Sequence, residues 1–235
     1  MIAPNLKTLL TEAQTLEVIE GGLLIAQQLF SSTISEKETS DVLQELTLTL
    51  AQVAKATFEA LSQGNAEQDE HFLTRIEILH RWAKLLSSLL EKLQTRRYYG
   101  LSFIIYSDDF ARLFYTLLML NVPLDKESLL VDTQNERLTS LLHRMKLRAL
   151  EALNVIGKYI FTRLADQQRP KSPFMKVFSG LCPVLLEALN AISTHVKKEE
   201  LLQQGDVDDL VVQIAELLVR FVGEREFFDV FNDRF

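Results

Sequence analysis

The sequence predicts an all-α protein, a HEAT-like α-solenoid of long antiparallel helix hairpins, and three observations support this prediction. Apolar residues recur every three or four positions along the long segments, which is the spacing of a buried helix face. With 8 Gly and 5 Pro in 235 residues, the chain has few of the residues that turn-rich β folds need. The predicted helix centres lie roughly thirty to thirty-seven residues apart, as in stacked helical repeats. A closed helical bundle is the alternative arrangement.

Composition and charge narrow the class of protein. Hydrophobic residues make up 47% of the chain, charged residues 24%, and the net charge is −7. Because an acidic chain is not typical of a dedicated nucleic-acid binder, we expect no nucleic-acid partner. A single cysteine excludes an intrachain disulfide and fits a reducing compartment, the cytoplasm or the nucleus. No apolar run is long enough to cross a bilayer and the N-terminus does not resemble a signal peptide, so we expect no membrane span.

The first helical zone covers about residues 5–30. Leu6, Leu10 and Leu23 belong to an apolar set with helical spacing. Gly21 and Gly22 interrupt this zone, and each glycine destabilises a helix by roughly 1 kcal/mol relative to alanine. We therefore predict two shorter helices with a break at these two glycines.

Two longer helices follow. The first is predicted from Ser40 to about Leu61, with Ser40 as N-cap and Asp41 in the first turn, where a carboxylate interacts favourably with the helix dipole. A polar turn at residues 62–68 leads to the second helix, over about residues 69–94. Each helix carries an apolar stripe, so the two are expected to pack together.

Residues 95–106 are ambiguous because the run YYGLSFIIY has the composition of a strand. The sequence contains no second strand-like segment with which it could pair, so we predict a short helix or a packed connector. Ser107, followed by Asp108 and Asp109, then caps a helix that runs to Leu120. Asn121 and Pro123 end that helix, and residues 124–133 form a loop.

The stretch from Gln134 to Gln168 organises the chain as one long helix. It contains no proline, and its apolar stripe runs from Leu138 to Leu164 in steps of three and four. The opposite face carries Arg137, Arg144, Arg148 and Glu151 in the first half, and the second half adds a further apolar set. A helix with apolar residues on more than one side is covered on more than one side, so we expect neighbouring helices on both.

The last part of the chain contains two further helices. Ser172 takes the N-cap position and Pro173 the first helical position of a helix over about residues 174–196, which Pro183 is expected to kink. Gly205 and Asp206 open the next helix, which Gly223 ends. Residues 225–235 begin another helix, which stops without a cap, so we expect residues 1–235 to be one solenoid segment within a longer array.

Five groups of residues are candidates for a chemical role. They are the histidines His71, His80, His143 and His195; Cys182; the acidic trio Asp206, Asp208 and Asp209; Ser172; and the run Arg96, Arg97, Tyr98 and Tyr99. The histidines have no metal-ligand spacing, so we interpret them as surface or packing residues. Cys182 lies in an apolar helix without a neighbouring base, so we interpret it as a buried structural thiol.

The other candidates also have simpler explanations. The acidic trio fits the start of a helix better than a calcium loop, which needs more oxygen ligands. Ser172 precedes a proline and follows two basic residues, as in a kinase site, but its capping position explains the same residues. The Arg-Tyr run could bind single-stranded nucleic acid, although one such run on an acidic chain is weak support. No phosphate-binding glycine loop or nucleophile motif occurs in the sequence, so we predict no enzyme, no cofactor and no metal.

The order of these segments resembles an interior portion of the importin-β (karyopherin-β) transport receptor family, most closely the branch of the importin-α export receptor. The segments concerned are VLQELTLTLAQVAKATFEAL (Val42–Leu61), RIEILHRWAKLLSSLLEKL (Arg75–Leu93), DDFARLFYTLLMLNVPL (Asp108–Leu124), RMKLRALEALNVIGKYIFTRL (Arg144–Leu164) with the following FMKVFSGLCPVLLEALNAI, and VDDLVVQIAELLVRFVGEREFFDVF. The first two resemble the partners of one repeat hairpin. The Arg144–Leu164 segment and the one after it resemble the two helices of another.

The resemblance implies a protein-binding segment of a nuclear transport receptor, present in the cytoplasm and the nucleus. The partners it implies are cargo proteins and nucleoporins. Nothing similar to the family's N-terminal Ran-binding repeat precedes Asn5, so any Ran contact is expected through parts outside this segment. No individual partner-binding residue can be assigned. A non-transport helical scaffold subunit is the alternative, and a helical accessory domain of an enzyme is a third class.

Overall fold

The computed structural model describes residues 2–12, 15–31, 39–63, 71–95, 102–122, 124, 127–131, 135–195, 205–222, 224 and 227. All regular structure within these ranges is helical, which confirms the predicted all-α class. The α-helices are α1 (Ile2–Thr11), α2 (Leu16–Ser31), α3 (Thr39–Gln63), α4 (Phe72–Thr95), α5 (Ser102–Ile105), α6 (Asp108–Met119), α7 (Glu136–Arg163), α8 (Pro173–His195) and α9 (Gly205–Val222). A short 3-10 turn, Arg169–Lys171, precedes α8.

The long helices pack in two rows. In one row α2, α4, α7 and α9 contact one another in that order, and in the other row α1, α3, α6 and α8 do the same. Contacts between the rows join α1 to α2, α3 to α4, α6 to α7 and α8 to α9. The most extensive packing is that of α4 on α7, followed by α7 on α9. Each pair of sequential long helices thus packs as a hairpin against the pair before and the pair after it.

Neighbours α7 and α9 run parallel to one another. Asn154 donates from Nδ2 to the backbone oxygen of Gln213 across 2.9 Å. Further along both helices, the rings of Phe161 and Phe221 lie 6.3 Å apart between centroids. Contacts that advance together along two helices require the helices to point the same way.

Helix α7 confirms the central prediction. It is unbroken from Glu136 to Arg163, and it packs on α4 along one side and on α9 along another. The predicted end at Gln168 is wrong, because residues 164–168 lie outside the helix, in the turn that precedes the 3-10 turn. The N-cap of α7 is Asn135, whose side chain accepts a hydrogen bond from the backbone N–H of Leu138 at 3.1 Å. Gly157 does not break the helix. A β-carbon at Gly157 would lie 3.5 Å from side-chain atoms of both Phe178 and Leu217, an ordinary van der Waals distance, so α8 and α9 both pack beside this position.

The predicted break at Gly21 and Gly22 is wrong, because α2 continues through both glycines. The chain is instead interrupted between Thr11 and Leu16, and the Thr15 hydroxyl accepts from the backbone N–H of Val18 at 3.4 Å at the start of α2. A β-carbon at Gly22 would lie 2.6 Å from Cδ2 of Leu10. Gly22 therefore serves the close packing of α1 on α2, and this packing outweighs the low helix propensity of glycine.

The family resemblance predicted that the Arg144–Leu164 segment and the helix after it form one hairpin. This prediction is also wrong. The extensive contacts pair α6 with α7 and α8 with α9. The short segment that contains the 3-10 turn instead carries the chain from one row to the other between α7 and α8.

Several predicted boundaries agree with the structure. Ser107 caps α6, where its hydroxyl accepts from the backbone N–H of Phe110 at 3.4 Å. Helix α5 confirms a short helix within residues 95–106, and the part at 96–101 lies outside the described residues. Helix α3 begins at Thr39, so the predicted cap position of Ser40 is wrong by at least one residue, and the Ser40 side chain is not among those described. The predicted helix over residues 225–235 likewise lies outside the described residues, apart from Phe227.

The core contains a continuous chain of aromatic rings that connects α4, α6, α8 and α9. Successive ring centroids along it lie between 4.7 and 6.3 Å apart, a range typical of favourable aromatic pairs. Its members in order are Trp82, Phe114, Phe174, Phe178, Phe221 and Phe227. These rings are buried, and they join three of the four hairpins into one core.

Helix α8 is long and apolar enough, over Pro173–Ser193, to cross a membrane by length and composition. This is weak support for a membrane span, because a core helix of a soluble protein passes the same test. The side chains of Phe174, Phe178 and Leu181 on this helix are fully buried, whereas 28% of the apolar stretch as a whole is buried. The helix continues through Pro183, and a kink at that residue stays a prediction.

Candidate functional site

Two polar bridges cross the contact between α4 and α7. Near the start of both helices, Arg137 of α7 donates to Glu77 of α4 across 2.8 Å. Further along both helices, Glu151 of α7 accepts from the Ser87 hydroxyl of α4 at 3.2 Å. Glu151 also accepts from Arg148 on its own helix at 2.7 Å. The bridges advance together along both helices, which are therefore parallel, like α7 and α9.

Four cationic side chains surround His80 in the region between these bridges. We call this set the basic cluster: Arg81 and Lys84 of α4 with Arg144 and Arg148 of α7, each of which contributes positive charge at His80. Lys84 and Arg144 are exposed, and the side chains of Arg81 and Arg148 are 37% and 39% exposed. The cluster is accessible to solvent, although the chain as a whole carries a net charge of −7.

The guanidinium groups of the basic cluster are held in place by neighbouring side chains. Arg81 pairs with Glu20 of α2 at 2.6 Å, and Arg148 pairs with Glu151. Arg144 donates to the backbone oxygen and the hydroxyl of Ser140, at 3.3 and 3.0 Å. Among the described residues, neither Lys84 nor Arg144 forms an ion pair with a carboxylate. The cluster therefore retains two positive charges that no described carboxylate neutralises.

His80 reports the combined field of these cations. Its pKa is lowered to about 4, first by burial and then by the positive charges of Arg144, Lys84, Arg148 and Arg81. The half-buried imidazole is thus neutral near pH 7 and adds no charge of its own. Four cations that all act on one side chain from two helices define an electropositive patch.

A second unusual cation, Lys146 of α7, is fully buried on the inner side of the helix. Its Nζ donates to the backbone oxygens of Ser128 and Leu129, the latter at 3.0 Å, and burial lowers its pKa to about 7. Asn121 supports the same segment by donating to the backbone oxygen of Leu130 across 2.9 Å. These bonds attach the connection between α6 and α7 to the core, so we interpret Lys146 as a structural residue.

Apolar side chains are exposed at both ends of the row that contains α4 and α7. On α2 the residues Val18, Leu24 and Ile25 are 37%, 45% and 43% exposed. On α9, Val212, Val219 and Val222 are 51%, 73% and 61% exposed. The spacing of the three valines places them along one side of α9. We call these two groups the α2 and α9 end faces.

The candidate histidines do not form one site. His71 is exposed and precedes α4, His80 lies within the basic cluster, and His143 is a partly buried residue of α7. His195 ends α8, and its side chain is not among those described. No group of three or more His, Cys, Asp or Glu side chains in the described ranges could hold a metal ion.

Cys182 and Ser172 are both buried. The Cys182 thiol lies in the core on α8, as predicted for a structural thiol. Ser172 is 1% exposed, and its hydroxyl donates to the backbone oxygen of Ile105 across 2.7 Å. The hydroxyl thus links the start of α8 to α5, and a kinase could not reach it in the folded protein.

The remaining candidates fall wholly or partly outside the described part of the chain. Asp209 is exposed in the first turns of α9, whereas the side chains of Asp206 and Asp208 are not described. The run Arg96–Tyr99 lies outside the described residues altogether.

Sequence reasoning missed the basic cluster and Lys146. The positions of Arg137, Arg144 and Arg148 on one face of the long helix were a partial signal. Nothing in the sequence indicated that Arg81 and Lys84 of α4 would lie beside that face. Lys146 stands between Met145 and Leu147, both buried, and this apolar setting was the available signal.

No protein-family model, no curated protein and no solved structure matches the chain.

Proposed function

We propose that this chain is a protein-binding segment of a HEAT-like α-solenoid. The observation that carries the proposal is the nearest-neighbour packing of the four hairpins in two rows. A closed bundle would bring the first hairpin against the last. Among the described residues, no extensive contact joins α1 or α2 to α8 or α9, which favours an open stack.

An open stack of this kind provides a continuous surface formed by several helices. The row α2, α4, α7 and α9 exposes the basic cluster in its middle and apolar side chains at its ends. Extended surfaces of helical repeats are suited to bind protein segments, because each repeat contributes side chains along the length of the partner. We assign the chain no catalytic step and no cofactor, and its activity is binding.

The finer proposal is that the solenoid belongs to a nuclear transport receptor of the importin-β type. The resemblance of the helix order and of the segments from Val42 to Phe231 supports it. Its partners would be cargo proteins and the Phe-Gly repeats of nucleoporins, and it would be found in the cytoplasm and the nucleus. Ran contacts would come from other parts of the receptor, and neither a nucleic-acid partner nor a membrane span is part of the proposal.

Immobilised Phe-Gly repeat peptide tests the transport proposal directly. We expect the chain to be retained on this peptide and not on a control peptide in which every Phe is replaced by Ser. A parallel pull-down from nuclear and cytoplasmic extracts is expected to enrich nucleoporins or importin-α. Recovery of the components of one stable, non-transport assembly, without Phe-Gly binding, would instead establish the scaffold alternative.

A further inference from the structure

We propose that the basic cluster of Arg81, Lys84, Arg144 and Arg148 binds an acidic segment of a partner protein. This inference rests on the proposed protein-binding function and names the chemistry of the partner at one site. The site is the exposed face of the contact between α4 and α7, in the middle of its row.

The charge of this face is the first argument. Arg81 is paired with the carboxylate of Glu20, and Arg148 with that of Glu151. Lys84 and Arg144 form no ion pair with a described carboxylate. Neighbouring like charges on one helix are destabilising, as for Arg144 and Arg148 four positions apart. An acidic ligand would relieve this repulsion, so charge complementarity selects a partner that is negative at this point.

The second argument is that the cluster is preorganised. Glu20 holds Arg81, Ser140 holds Arg144, and Glu151 holds Arg148, each by a contact within 3.3 Å. A guanidinium that is already oriented loses less side-chain entropy on binding than a free one. Guanidinium groups also match the two oxygens of a carboxylate, so Asp and Glu side chains are suitable ligands.

A protein segment fits this face better than a nucleic acid. The carboxylates of Glu20, Glu77 and Glu151 border the cluster and would repel a polyanionic backbone that continued past it. Nucleic acid carries a phosphate at every nucleotide, so it requires a longer uninterrupted basic track. A short run of Asp and Glu can place its charges over Lys84 and Arg144 and continue as neutral chain.

The test is a titration of the whole 235-residue chain with fluorescent peptides, followed by anisotropy. The probes are a peptide of about ten residues rich in Glu, the same peptide with Gln for Glu, and single-stranded oligothymidine of equal charge. We expect the Glu peptide to bind at least about tenfold more tightly than the Gln peptide, with an affinity that falls as salt is raised.

The double variant Lys84→Gln with Arg144→Gln is expected to weaken binding of the Glu peptide about tenfold. The matched control is Arg112→Gln with Lys176→Gln, which makes the same charge change at exposed positions of α6 and α8. This control is expected to change the affinity by less than about twofold, because α6 and α8 belong to the other row of helices and salt screens exposed charges. Circular dichroism checks that both variants remain folded.

Three results would overturn the inference. They are equal binding of the Glu and Gln peptides, an equal loss in the control variant, and tighter binding of oligothymidine than of the Glu peptide. The proposed function fails separately, if the Phe-Gly peptide and the extract pull-downs recover no protein partner. Phe-Gly binding without Glu-peptide binding would reject the acidic ligand alone.

Discussion

At the scale of single residues, Lys146 couples the stability of the fold to pH. Its buried amine has a pKa of about 7 in the folded protein, and the ordinary value is 10.5. Between these values the unfolded chain binds more protons at this residue than the folded chain does. The free energy of unfolding contributed by Lys146 therefore rises with pH across this window, by roughly 1.4 kcal/mol per pH unit.

We expect the variant Lys146→Met, which keeps a side chain of similar length without the charge, to lose this rise. Urea unfolding measured at several pH values between about 7.5 and 9 gives the slope of the free energy of unfolding against pH, for the wild-type chain and for the variant. Lys158→Met is the control, because Lys158 is exposed on the same helix. An unchanged slope in Lys146→Met would show that the buried amine does not titrate in this range.

His80 offers a direct measurement of the basic cluster. Its pKa of about 4 is lowered by burial first, and among the charges by Arg144 and Lys84 first. Replacing these two residues by Gln should raise the pKa of His80, but not to the ordinary value of 6.5, because burial persists. An NMR titration of the imidazole measures this change. If the pKa stayed the same, the two cations would not converge on His80.

At the scale of helices, the two adjacent glycines of α2 have opposite roles. A β-carbon at Gly21 would meet no atom within 4 Å, whereas one at Gly22 would lie 2.6 Å from Cδ2 of the buried Leu10. Gly21→Ala should therefore raise the free energy of unfolding by about 1 kcal/mol, the gain in helix propensity.

Gly22→Ala gains the same propensity but overpacks the contact between α1 and α2. Since overpacking a buried site costs ~1–3 kcal/mol, we expect this variant to lower the free energy of unfolding by about 1 kcal/mol. Chemical denaturation of the two variants side by side provides the measurement, and each serves as the control for the other. Equal stabilisation by both would mean that Leu10 moves aside without cost.

At the scale of the whole molecule, the open stack and the closed bundle predict different effects of truncation. In a stack each hairpin is stabilised by its neighbours, so removal of residues 1–37, the first hairpin, should leave the rest folded with a lower midpoint of thermal unfolding. Circular dichroism would show retained helix and a cooperative transition. A truncated chain that lost its helical signal would favour a closed bundle, in which every helix completes one core.

The two end faces predict self-association of the isolated chain. Exposed apolar side chains on α2 and α9 would be covered by neighbouring repeats in a longer array, so alone they should associate with other molecules. Sedimentation should show an average mass that rises with protein concentration.

The double variant Val212→Gln with Val219→Gln should show a smaller rise of the average mass with concentration, because both side chains are more than half exposed on α9. Leu48→Gln, at a residue of α3 that is 41% exposed, is the control and should have little effect. A wild-type chain that stayed monomeric at all concentrations would contradict the prediction.

The sequence by itself determined the helical class, the long central helix and the cap of α6 at Ser107. These features depend on residues that are close in the chain. The stripe of α7 follows from steps of three and four, and the cap at Ser107 follows from a hydroxyl three residues before the N–H that it accepts from. Such local patterns can be recognised in the sequence because they do not depend on the neighbouring helices.

Only the tertiary structure decided which surfaces meet. Arg137 and Glu77 are 60 residues apart, and Ser87 and Glu151 are 64 apart, so no local pattern could place them together. The same reason explains the errors. Whether a glycine breaks a helix or permits a close contact depends on the side chain opposite, which for Gly22 is Leu10. The basic cluster likewise exists because α4 packs beside α7, and that pairing results from burial of both apolar stripes.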